Sequence, residues 1–301
     1  ISTLTDAGVE AVKNSAMTSN LDTHFLAWTI TDVCYIGNGT DTVRTYNGNT
    51  DTFATLTGTA IPVSRWLAPV GDRLMAITTN GIERTSPRVD NVWSSNSSWA
   101  TLRPSRVGLF TCIHPVSVRG TDTIYPGLLA FQPMAYYLIT GTDYGADASA
   151  ASASVDEDSK IQLMDPAIGT SSPYSVVSIP GVGTAWFTSD LNVYLIPEGS
   201  LKGIYIGDQL KSNQSQVGIE STNVAQLSQV SMVYFDRFLM LKVPVGSDSF
   251  NTLEFWMDVY SWALHPDRGP VWYGPMTGQS ISKMWVEQQQ SDFAVKGGEG
   301  N

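Results

Sequence analysis

The strongest constraint on this chain is a short phrase that recurs along it. "GDRLMAITTNG" (Gly71–Gly81) places an Asp-led turn, an apolar run and an Asn-Gly turn within eleven residues. The same order appears in "TDVCYIGNG" from Thr31, "SDLNVYLIPEG" from Ser189 and "FDRFLMLKVPVG" from Phe235. In each, an alternating or wholly apolar run follows the acid, and a Gly-bearing turn comes seven to ten residues after it. The leading acids Asp32, Asp72, Asp190 and Asp236 are 40, 118 and 46 residues apart. The middle interval is close to three units of about 40 residues, the length of a small repeated β-unit. A weaker copy, "GTDTIYPGLLAFQ" with Asp122, falls inside it.

Each unit continues into further strand-like runs: "TVRTYNGNTDTFATLTG", "LKGIYIGDQL" and "TLEFWMDVYSWALH". Alternation over four to eight residues, bounded by Asn-Gly, Thr-Gly or Pro-Glu-Gly turns, predicts antiparallel meanders. A clean helical period is missing except in "TDAGVEAVKNSAM" near the start. Repeats of this length with three or four short strands each predict an all-β chain, a β-propeller of about six or seven blades. The recurrence also assigns the four aspartates a structural role, accepting backbone N–H groups at the turn before a strand.

The organisation expected is an N-terminal arm over residues 1–24, a propeller over 25–295 and a Gly-rich tail over 296–301. "HFLAWTI" (His24–Ile30) is either a closing strand or the first strand of the first blade, and the ring is either incomplete or closed by a terminal strand. "DYGADASAASASVDEDSK" (Asp143–Lys160) is small, acidic and poor in anything to bury, which predicts an exposed insert.

Composition narrows the function classes. Net charge is −11 and the sequence pI about 4.6, with no cluster of basic residues, so sequence-specific nucleic-acid binding through phosphates is not expected. No apolar run approaches the ~18 residues needed to span a membrane as a helix. Cys34 and Cys112 lie in apolar stretches without metal-ligand or disulfide spacing, so each is expected to behave as a small hydrophobe. No nucleophile elbow, His-x-x-x-His pair, phosphate loop or calcium loop is found, and neither a metal nor a cofactor is expected. The enzymatic alternative is glycan hydrolysis by two carboxylates chosen from Asp32, Asp190, Asp236 and Asp258. Apparent equivalence of the repeated acids argues against it, because such a pair needs two different environments.

Two tryptophans in a polar context, Trp93 and Trp99 in "VDNVWSSNSSWATLRPSR", are candidate interface or sugar-stacking residues, with core packing as the other reading. The late aromatics Phe255, Trp256, Tyr260, Trp262, Trp272, Tyr273 and Trp285 fit packing between sheets.

Taken together, "VCYIGNGTDTVRTYNG", "GDRLMAITTNGIERTSP", "FTSDLNVYLIPEGSLKGIYIGDQL" and "VYFDRFLMLKVPVG…LEFWMDVYSWALH" resemble the β-propeller tail hub or nozzle proteins of short-tailed bacteriophages. The resemblance runs from about Thr31 to Trp272 and departs at the acidic insert and at both ends. It implies a structural virion protein and not an enzyme, a homo-oligomeric ring on the tail axis through which DNA leaves. The implied partners are the adaptor, the portal-proximal ring and tail fibres. The alternative is a secreted β-propeller that binds or hydrolyses glycans.

Overall fold

The computed structural model describes residues 2–4, 10–12, 17–18, 23–79, 81–85, 88–93, 108–119, 124–140, 160–200, 202–212, 216–264, 267, 269–288 and 293–299. Among these the chain is a succession of antiparallel sheets whose strands follow sequence order. A hairpin of β1 (Ser2–Leu4) and β2 (Glu10–Val12) comes first. The next sheet is four-stranded: β3 (His24–Trp28), β4 (Val33–Gly37), β5 (Arg44–Asn47) and β6 (Thr52–Thr55). A three-stranded sheet holds β7 (Trp66–Val70), β8 (Arg73–Thr78) and β9 (Gly81–Arg84).

Three more four-stranded sheets follow. The first comprises β10 (Cys112–Arg119), β11 (Ile124–Gln132), β12 (Ala135–Thr140) and β13 (Lys160–Asp165). The second comprises β14 (Val177–Ile179), β15 (Gly183–Phe187), β16 (Val193–Pro197) and β17 (Ile204–Tyr205). The third comprises β18 (Ser231–Phe235), β19 (Phe238–Val243), β20 (Leu253–Asp258) and β21 (Trp272–Met276), with the helix α1 (Val259–Leu264) between its last two strands. A final hairpin pairs β22 (Ile281–Gln288) with β23 (Phe293–Glu299).

The strands form where the apolar pattern demands it. In β20, Leu253, Phe255 and Met257 are buried in one cluster while Glu254 and Trp256, half-buried, face the other way, the period-two signature of a strand. In β8, "RLMAIT" is buried throughout, as a continuous apolar run between two neighbouring strands should be.

The chain divides into two compact units. The first comprises Ile1–Pro115, Tyr125–Ala130 and Leu138–Gln162, and the second Val116–Ile124, Phe131–Tyr137 and Leu163–Asn301. Unit one has a core of Trp28, Tyr35, Val43, Leu56, Leu67, Leu74, Ala76 and Trp93. Unit two has a larger core drawn mainly from β15, β16, β19 and β20, including Phe187, Leu195, Leu241 and Phe255.

Several expectations change. "HFLAWTI" supplies β3, the first strand of a sheet and so one of its two expected places, and only the arm's boundary moves, because His24 belongs to the strand. The helical period near the start gives way to β2 over Glu10–Val12. The Gly-rich end is not a plain tail, because β23 pairs through Gly297 and Glu299 with β22. Strand pairing overrides local composition in the last two cases. The acidic insert, up to Lys160 at the start of β13, lies outside the described residues, as does Asp122.

Candidate functional site

The four repeated aspartates all lie in hairpin loops, but not at one place. Asp32 is the last of four residues joining β3 to β4, in the left-handed region with φ 54°, and its N–H donates to Trp28 O at 3.0 Å. Asp72 is the second of two residues joining β7 to β8, after Gly71 with φ 58°. Asp236 is the first of two joining β18 to β19, with φ 58°, and so matches Gly71 and not Asp72. Asp190 sits in the middle of the five-residue loop between β15 and β16, a second hairpin and not a first. Its carboxylate accepts from Thr188 Oγ1 and from Asn192 Nδ2 at 2.8 Å, while Leu191 takes φ 62°. The expected equivalence is therefore corrected. Loop lengths differ between hairpins, and counting from an Asp to the next Gly does not reveal where the turn falls.

Asp258, at the end of β20, is buried and committed locally. It accepts from the Ser261 N–H at 3.0 Å and hydroxyl at 2.9 Å, and pairs with Arg237 at 3.1 Å. Burial pushes its carboxyl up, but the Ser261 bonds and the Arg237 charge outweigh that and hold it below the usual range. Trp93 is also corrected as an interface candidate: it is 1% exposed in the core of unit one, and its indole N–H donates to Asp90 O at 2.7 Å. Trp99 lies outside the described residues.

Residues that carry only turn and core signals in the sequence come together in the structure. In unit one, Ala27, Cys34 and Tyr46 stand directly opposite one another across β3, β4 and β5, on one face of the sheet. Two small residues beside an aromatic leave a hollow of about 290 Å³, which the Asp32 loop and Gly48-Asn49 wall at one end. The wall is fixed in place. Asn47 Oδ1 accepts from the N–H groups of Asn49 and Thr50 at 2.9 and 3.2 Å, forming an Asx turn. Asn49 Nδ2 donates to Asp32 Oδ2 at 2.9 Å, and the Tyr46 hydroxyl to Asp51 Oδ1 at 2.8 Å. Cys34 is half-buried, and burial raises its thiol above the ordinary value, so the floor is a neutral S–H group.

The hollow is apolar below and polar at one rim, with a single carboxylate in its lining. With one carboxylate, its lining lacks the two-acid pair of glycan hydrolysis. Among the described residues no three His, Cys, Asp or Glu side chains gather as a metal site. "YNGNTD" reveals the turn in the sequence. Its meeting with the Asp32 loop depends on strand register, which the sequence does not display.

No family model matches the chain, and no curated protein matches it. Among solved structures it is similar to the computationally designed Ika8 protein, at 9% identity and TM-score 0.41, over 85% of this chain and 75% of that one. It is similar to a complex of the fission yeast SREBP-SCAP binding domains at 7% identity and TM-score 0.46, over 92% and 67%. It is similar to the AfRom2 CNH domain at 6% identity and TM-score 0.39, over 91% and 80%. These likenesses are slight. No helix among the described residues is long and apolar enough to cross a membrane.

Proposed function

We propose that the chain is a structural subunit of a short-tailed bacteriophage tail, of the hub or nozzle type, and that its sheets are blades of a β-propeller of about six or seven. The observation that carries this reading is the run of five sheets of three or four antiparallel strands, each taken in sequence order. Such meanders need neighbours to cover both faces, which a radial array supplies. The family resemblance spans the same sheets, from β4 to the start of β21. In this reading the subunit joins a homo-oligomeric ring around the DNA exit channel, in contact with adaptor and portal-proximal subunits. A net charge of −11 would keep DNA from adhering to the wall as it passes. Asp190 and Asp258 serve chain geometry here, since each already accepts local hydrogen bonds.

The test is assembly. Native mass spectrometry and electron microscopy of the concentrated protein, alone and with portal and adaptor subunits, should show symmetric rings. A monomer under every condition would overturn the proposal.

A further inference from the structure

We propose that the hollow bounded by Asp32, Asn49, Tyr46 and Cys34 is a binding site for a neutral saccharide. Three features of the site select the ligand. The floor is Ala27 and the Cys34 thiol, small groups that leave room beside Tyr46 on the sheet face for C–H groups. The rim holds two acceptors, Asp32 Oδ1 and Asn49 Oδ1, that take no hydrogen bond from the described residues although their side chains are locked together through Asn49 Nδ2. Two adjacent acceptors ask for two adjacent donors, and vicinal hydroxyls on a ring with an apolar face supply both at once. No lining residue is cationic, so anionic ligands are disfavoured.

The site is also pre-organised. Asp51 fixes the Tyr46 ring through its hydroxyl, and the Asx turn at Asn47 fixes the Asn49 backbone, so little side-chain freedom is lost on binding. Trp93, buried in the core, is not open to a sugar in this way. The sugar site stands apart from the tail reading: a protein that never forms rings would still bind, and a ring that binds no sugar would leave that reading intact.

Cys34 provides a reporter on the floor, because Cys112 is fully buried and its burial raises its thiol strongly. The experiment follows iodoacetamide alkylation of Cys34 by mass spectrometry, with excess D-glucose, D-galactose, D-mannose or N-acetyl-D-glucosamine. At least one sugar should slow alkylation severalfold. Asp32→Asn, which tolerates the left-handed backbone, and Asn49→Ala, which keeps the Asx turn, should each weaken protection about tenfold. Asp72→Asn should leave it unchanged, and near-ultraviolet circular dichroism checks that each variant is folded. The proposal is overturned if no sugar protects the wild-type thiol, if both folded variants are protected as well as wild type, or if only a diamine such as ethylenediamine protects.

Discussion

The imidazole of His24 lies flat on the indole of Trp66, with ring centroids 3.8 Å apart and planes 20° from parallel. His24 Nδ1 accepts the Leu67 N–H at 3.3 Å, so the ring holds no proton there, and burial lowers its pKa from 6.5 to about 3. His114, also lowered by burial, titrates at about 4. The folded chain therefore binds fewer protons than the unfolded chain below pH 6.5, and stability falls as pH falls through that window. The slope is at most about 1.4 kcal/mol per pH unit for each histidine. Urea midpoints should drop below pH 6.5, and His24→Phe should flatten the drop while lowering stability at neutral pH. An unchanged slope in that variant would assign the acid sensitivity elsewhere.

Trp93 is core, so its replacement should be read in stability. Trp93→Ala removes an indole that is 1% exposed and leaves Asp90 O without its donor, at a cost of about 3–5 kcal/mol. Trp93→Phe should cost less, since the ring volume is mostly kept. Chemical denaturation distinguishes this from a surface role, in which Ala would change binding and leave the midpoint in place.

Lys242 and Glu254 face each other across β19 and β20, both largely buried, with Nζ and Oε2 2.9 Å apart. Lys242 also donates to Gln279 Oε1 at 2.8 Å. Lys242→Met alone strands a buried carboxylate and should cost about 3–5 kcal/mol. The double variant Lys242→Met/Glu254→Leu should recover most of that, because the pair's desolvation is removed along with its attraction. A double-mutant cycle by urea melts measures the coupling, and additive losses would refute it.

Gly183 opens β15 at φ 147°, and a Cβ there would stand 1.9 Å from Ile196 O on the paired strand. Gly183→Ala should therefore destabilise by more than about 4 kcal/mol, or prevent folding. Gly181, two residues earlier at φ 72°, meets nothing within 4 Å, and Asn adopts that backbone region, so Gly181→Asn should be mild. Thermal melts of the two variants decide whether space or conformation limits each glycine.

Strand existence was legible wherever residues alternated or ran apolar between Gly-bearing turns. β4, β8, β16 and β19 fall within the four repeated phrases. The equivalence of the four aspartates was not legible, because a two-residue loop and a five-residue loop look alike when only the next glycine is counted. Interface and core readings of Trp93 stayed open in the sequence because its neighbours are Ser and Asn, and the structure bears out the core one. Bridges from Thr59 to Val92 and from Thr85 to Trp93 hold Val92 and Trp93 in place, and the first of these spans 33 residues of sequence.

Sequence by itself determined the periodicity, hence the strands, their antiparallel order and the places where the chain must turn. Those are short-range consequences of side-chain alternation and of which residues accept a left-handed backbone. Only the tertiary structure decided what each face meets: the stack of Trp66 on His24, the burial of Trp93, and the register that sets Ala27 and Cys34 beside Tyr46. Register and packing are cooperative choices among segments far apart in the chain, and a one-residue slip would exchange the two faces of a strand while leaving its local pattern untouched.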